Sequence, residues 1–108
     1  MSENLILFNW VLENFNEEKE FIKDGYYRVR EVLDNVYDID FTVSGPCGES
    51  ILHPQIRVEK SDEGLVPIQE FDTFVTPVIF MKRDSKENEA KLDQAFTELL
   101  KKFQKAKN

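Results

Sequence analysis

Four side chains near the middle of the chain have types and spacings suited to chemistry: Asp38, Asp40, Cys47 and His53. Cysteine catalysis needs a thiolate, generated by a neighbouring imidazole or a helix N-terminus. Cys47 stands between Pro46 and Gly48 in a turn, and His53 follows shortly after it. As the chain has one cysteine and one histidine, Cys47/His53 is its sole thiol–imidazole pair. No Asn or Asp orienter is identifiable and no family signature surrounds the cysteine. The pair is therefore the residual hydrolase reading, and the expectation is a protein that is not an enzyme. Asp38 and Asp40 share one face of a strand, about 7 Å apart, where paired carboxylates can bind a hard cation or share acid–base work. A D-x-D unit without further oxygen ligands in a Gly-containing loop is not a calcium site. Glu49 beside His53 adds only a weak ligand pair. No metal and no cofactor is expected, and Asp38 and Asp40 read as a solvated strand face with Arg30 across from Asp40. The glycines at 25, 45, 48 and 64 form no phosphate-cradling pattern, and no G-x-S-x-G elbow occurs.

With catalytic chemistry so thin, the residues best suited to function are those that bind. Leu5, Phe8, Leu12 and Phe15, widened by Leu7 and Val11, make the inward stripe of a first helix. Ile6 and Trp10 fall on the other side, one turn apart, and Glu13 and Glu17 continue that outer stripe. An exposed Ile and Trp rimmed by acids have the composition of an interface. Ile6, Trp10, Glu13 and Glu17 are thus the expected partner-binding residues, with a second copy of this chain or another protein as the occupant.

Charge narrows the partners. The net charge is −7. Residues 1–40 carry ten acids and four bases, 41–83 six and four, and 84–108 five and six. An acidic chain without a basic stripe repels phosphate backbones, so no nucleic acid is expected, and a basic protein is the natural counterpart of the N-terminal half. There is neither a signal-like N-terminus nor an apolar run approaching the roughly 18 residues of a membrane span. With one cysteine besides, a cytoplasmic protein that does not meet membranes is the expectation.

These residues need elements to hold them. At 108 residues the chain is read as a single α+β domain, 1–108, with 41% hydrophobic residues and nine Phe to fill a core. Tyr37, Ile39, Phe41 and Val43 alternate with Asp38, Asp40, Thr42 and Ser44, the period of a half-buried strand. Pairing logic makes residues 26–33 its hairpin partner, with Leu33 against Tyr37, Val29 against Phe41 and Arg30 against Asp40. Gly45-Pro46-Cys47-Gly48 is a break. A third strand crosses about 50–60, with Leu52, Ile56 and Val58 on one face, and Ser61-Asp62-Glu63-Gly64 is its turn. A last β stretch runs from about Leu65 to Met81, interrupted near Glu70-Phe71-Asp72. Its second half is apolar on both faces, as in a covered strand, although Pro77 demands an edge or a bulge.

Helices close both ends. Ser2 is the expected N-cap of the first, which frays between Asn16 and Gly25. Asp84 with Glu87 has capping-box spacing for the second, whose stripe is Leu92, Phe96, Leu99, Phe103 and Ala106. The predicted order is α-β-β-β-β-α, an antiparallel sheet of about four strands flanked by two helices. Its predicted core is Leu5, Phe8, Leu12, Val29, Ile39, Phe41, Ile56, Val58, Val78, Phe80, Phe96, Leu99 and Phe103. The functional expectation is an acidic protein-binding module of the inhibitor, immunity, chaperone or phage-assembly kind, acting alone or as a homodimer. The alternative is a small-ligand domain with its pocket between sheet and helices, marked by a cavity above roughly 300 Å³ with convergent polar groups.

Overall fold

The computed structural model describes residues 3–62 and 64–107. The expected cap Ser2 and the turn residue Glu63 lie outside the described residues. The order is α1 (Glu3–Asn14), β1 (Glu20–Ile22), β2 (Gly25–Leu33), β3 (Val36–Ser44), β4 (Ser50–Ser61), β5 (Gly64–Asp72), β6 (Ile79–Lys82) and α2 (Lys86–Ala106). Each strand pairs antiparallel with the next, giving one six-stranded meander. Both helices cover the same face, and the fold is α+β with a helix at either end. The sheet has six strands rather than about four. The two extra strands are the short edge β1, too brief to leave a period in the sequence, and β6, which the sequence reads as the end of one interrupted stretch with β5.

The core lies between the helices and one sheet face. Phe8, Val11, Ile39, Ile56, Val58, Phe96, Leu99, Leu100 and Phe103 are buried there with Tyr27, Val29 and Phe41. Phe15, Tyr27 and Phe103 meet edge to face and tilted, with centroids 4.9–5.8 Å apart, a geometry that adds to area burial. The inward stripe of α1 is centred on Leu7, Phe8 and Val11, while Leu5 and Leu12 are half-buried at its margins. So many apolar residues crowd this helix that spacing alone leaves its phase loose. Val78 and Phe80, expected in the core, are exposed because β6 is an edge and its approach is a loop.

Local chemistry sets the boundaries. The Asn16 side chain accepts from the Glu18 N–H at 2.8 Å, and its carbonyl accepts from Val29 N–H at 3.0 Å. This Asx turn stops α1 and pins the chain to β2. Gly25 opens β2, where a Cβ would run into the Phe41 ring and the Thr42 carbonyl. The β2–β3 turn is Asp34-Asn35, with Asn35 at φ 63°, so Val36 is spared the left-handed position. A bulge between Glu31 and Leu33 then sets Val29 opposite Ile39 and Arg28 opposite Asp40. The expected register, with Arg30 against Asp40, is off by two residues, one from the shorter turn and one from this bulge. A second bulge opposite Phe41 turns Leu52 to the same face as Thr42, away from Ile56. The cap of α2 is Ser85, not Asp84: its hydroxyl accepts from Asn88 N–H at 3.1 Å.

Phe96→Ala should cost about 3–5 kcal/mol by chemical denaturation, and Phe80→Ala less than about 1 kcal/mol. Equal costs would contradict this division between core and edge.

Candidate functional site

The face of the sheet without helices carries a charged ladder. Alternation along β3 sends Ile39 and Phe41 to the core and Asp38, Asp40 and Thr42 to the opposite face. Both carboxylates are only 1% exposed, so they are not a solvated face. Arginines on the flanking strands lie over them. Arg28 Nε and Nη2 donate to Asp40 Oδ2 at 2.9 and 2.6 Å. Arg57 on β4 donates to both oxygens of Asp38 at 2.8 and 3.1 Å, and Arg30 stands 3.8 Å from Asp38. The Asp38 hydrogen bond holds the Arg57 guanidinium above its already high range, against the opposing effect of burial. Arg30 Nε, Asp40 Oδ1 and Thr42 Oγ1 are buried without a partner. The D-x-D pair thus binds arginines. Among the described residues no grouping of acids, His and Cys is arranged to hold a metal.

Cys47 is exposed in the β3–β4 turn, where its N–H donates to Glu49 Oε1 at 2.9 Å. His53 looks elsewhere. Its Nδ1 meets both Asp72 oxygens at 2.9 and 3.1 Å, and its ring lies 4.4 Å from that of Phe74. Asp72 also accepts from Phe74 N–H at 3.0 Å. The orienting acid that the sequence left unidentified for His53 is therefore Asp72, across the sheet on β5. The structure does not bring the Cys47 thiol into a hydrogen bond with it, nor does it place Glu49 on the histidine.

Two hollows lie between the sheet and α2. A cleft of about 900 Å³ is lined by Lys23, Asp24, Tyr27, Lys101, Lys102 and Lys105, among others. Burial, with Asp24 second, raises the Tyr27 phenol above its ordinary range. A smaller cavity, about 230 Å³, brings Glu70 and Asp72 of β5 against Glu98 of α2. Burial, then the charges of Asp72 and Glu98, push the Glu70 carboxyl above its ordinary value. Sequence reasoning missed Glu70, since Glu70-Phe71-Asp72 reads as a break in a strand.

The expected outer stripe of α1 is divided. Ile6 is 59% exposed and Glu13 is exposed, but Trp10 is half-buried, its ring edge-on to Phe15 at 6.3 Å. Glu17 is exposed beyond the end of α1, so it does not continue the helical face. Exposed apolar residues gather instead along the β5–β6 hairpin: Phe74, Val78 and Phe80, with Phe71 at 5.4 Å from Phe80. Lys82 lies over the Phe80 ring. No helix among the described residues is long and apolar enough to cross a membrane.

Two outcomes follow. Asp38→Ala leaves Arg57 and Arg30 facing a vacancy and should cost about 2–3 kcal/mol, below a fully buried pair because both arginines reach water; a loss under about 0.5 kcal/mol contradicts the ladder's role. For Glu70, a raised folded-state pKa means that the native protein holds its proton more tightly than the unfolded chain. Stability is then lost as pH climbs from the ordinary value of 4.5 through the raised one. Glu70→Gln removes that loss, so its Tm relative to wild type should improve between about pH 4 and pH 7. An unchanged difference across that interval rejects the assignment.

Comparison with known proteins returns no match: no family model, no curated protein and no solved structure is similar to this chain.

Proposed function

We propose that the protein works by binding another protein, and that the β5–β6 hairpin is the anchor of the interface. The observation that carries this reading is the exposure of Phe74, Val78 and Phe80, each more than half accessible, beside the Phe71 ring. Aromatic side chains of this kind, left in water by a chain with a full core of its own, are the material of interface hot spots. β6 is also the last strand of the sheet. Its outer backbone groups are open to a strand from the partner, a common mode of peptide capture.

Charge selects the partner's chemistry. A chain of net charge −7, with its excess acids concentrated in residues 1–40, favours encounter with a basic protein and disfavours a second copy of itself. Three arginines stand over two carboxylates, so the open face offers phosphate backbones little free charge beyond that of Arg30. Ile6 and the acidic Glu13 belong to a separate surface on α1, which supplies a polar rim at most. The module reading of the sequence thus persists, with its anchor moved from α1 to the hairpin.

The cleft of about 900 Å³ beneath Lys101, Lys102 and Lys105 favours a second reading, a small anionic ligand held against Tyr27. The two are separable by experiment. Sedimentation at micromolar concentration should give a monomer. A partner recovered from the native source should be lost by the Phe74→Ser/Phe80→Ser double variant and kept by Ile6→Ser, with both variants melting near wild type. Partner binding lost on Ile6→Ser and retained by the hairpin variant would return the interface to α1. Stabilisation by inorganic phosphate at constant ionic strength, abolished by Lys105→Gln, would favour the cleft.

A further inference from the structure

The smaller cavity between β5 and α2 has more acceptors than donors. Glu70 and Asp72, two residues apart on one face of β5, meet Glu98 from the helix across about 230 Å³. Asp72 is satisfied by the His53 ring and the Phe74 N–H. Glu98 is exposed and accepts from Gln94 at 3.4 Å. Glu70 differs from both. It is 8% exposed, and among the described residues its carboxylate has neither a hydrogen bond nor an ion pair. Lys102 also lines the cavity, but its ammonium lies 4.3 Å from the centre of the Phe41 ring, held there by a cation–π contact.

The residue is withdrawn, but its carboxylate oxygens still reach water through this hollow, so an entering group meets an unpaired acceptor and must bring its own protons and positive charge. The remaining walls, Pro54, Ala95 and Leu99, are apolar, which suits an aliphatic stem behind a charged head. The acceptors come from two layers, sheet and helix. That arrangement suits the three divergent donors of an ammonium better than the flat fork of a guanidinium. No grouping of acids here is arranged to hold a metal, among the described residues.

We propose that this cavity binds a primary alkylammonium group, supplied by a free aliphatic amine or by a lysine side chain of a partner. Glu70 is its counter-ion, Glu98 closes the helix side, and Pro54, Ala95 and Leu99 hold the stem. The site stands independently of the hairpin interface, because neither Phe74 nor Phe80 contributes to its lining.

The test is an NMR titration of the full chain with n-butylammonium chloride, with sodium chloride and tetramethylammonium as controls at matched ionic strength. Saturable shifts at Glu70, Ala95 and Glu98 are expected with n-butylammonium alone. Glu70→Gln should weaken the affinity by about tenfold or more. Ala95→Leu, which fills the cavity while leaving Glu70 in place, should abolish binding and covers the case of a Glu70 variant that does not fold. A blocked tripeptide with a central lysine distinguishes the sources: saturation by it assigns a partner's side chain, and saturation by n-butylammonium alone assigns a free amine. Shifts that grow linearly and match the tetramethylammonium control overturn the proposal. So does a Lys102 ammonium that moves from Phe41 to Glu70 and excludes the probe, or a Glu70→Gln variant that binds as well as wild type.

Discussion

The structure turns on β3, a strand buried on both sides in a sheet that helices cover on only one. Ile39 and Phe41 fill the core, while Asp38 and Asp40 are equally withdrawn from water on the far face. Nothing apolar compensates those carboxylates, so the flanking strands must supply cations at fixed places: Arg28 from β2 for Asp40, Arg57 from β4 for Asp38. The pairing of three strands is thereby specified twice, by the fit of apolar side chains on one face and by ion pairs on the other. A slip of one residue would expose the core set and bury the charged one. A slip of two would keep the apolar pattern but undo the hydrogen bonds of Arg28 to Asp40 or of Arg57 to Asp38. Such pairs add little net stability against hydrophobic replacements, yet they discriminate between registers that hydrophobicity alone leaves close in energy.

The same double specification explains what the sequence makes legible. The alternation of β3, the regular stripe of α2 and the helix–sheet–helix order are visible because each repeats over several turns or residues. Register is not visible, because it depends on bulges. One lies near Val32, a second opposite Phe41 and a third between Arg57 and Val58. Each inserts a single residue and shifts the period-two pattern out of phase. The first bulge, together with the two-residue turn, sets Arg30 against Asp38 where spacing alone sets it against Asp40, and the second takes Leu52 off the face of Ile56. The run from Phe74 to Met81 fails for a different reason. A continuous apolar segment is equally consistent with a strand covered on both sides and with a surface kept apolar. Pro77 was the local clue against the first.

Among the site residues, Ile6 was legible as exposed, since its position on α1 leaves it no route to the sheet. Trp10 was not, because Phe15 returns under the end of the helix and offers the indole a partner; that return depends on the Asn16 turn rather than on helical periodicity. Glu17 was placed on a helix that the same turn had already ended. Glu70 was illegible altogether. A carboxylate within an amphipathic strand is ordinarily assigned to the wet face, and only the bulge before it, together with α2 passing overhead, puts this one on the dry side.

The two faces of the sheet therefore manage charge in opposite ways. On the open face the two buried acids, Asp38 and Asp40, meet arginines, and those pairs hold register. On the helix face Glu70 has no such partner, and the nearest lysine is engaged by an aromatic ring. Between this acid and the exposed hairpin stands Asp72, which holds the His53 ring and the Phe74 backbone together. A cation entering beside Glu70 would change the field at Asp72, whose two remaining contacts position the first residues of the β5–β6 loop. The fold thus sets Glu70, an acid without an ion pair among the described residues, two residues before Asp72 and the β5–β6 hairpin, which presents Phe74 and Phe80, each more than half exposed.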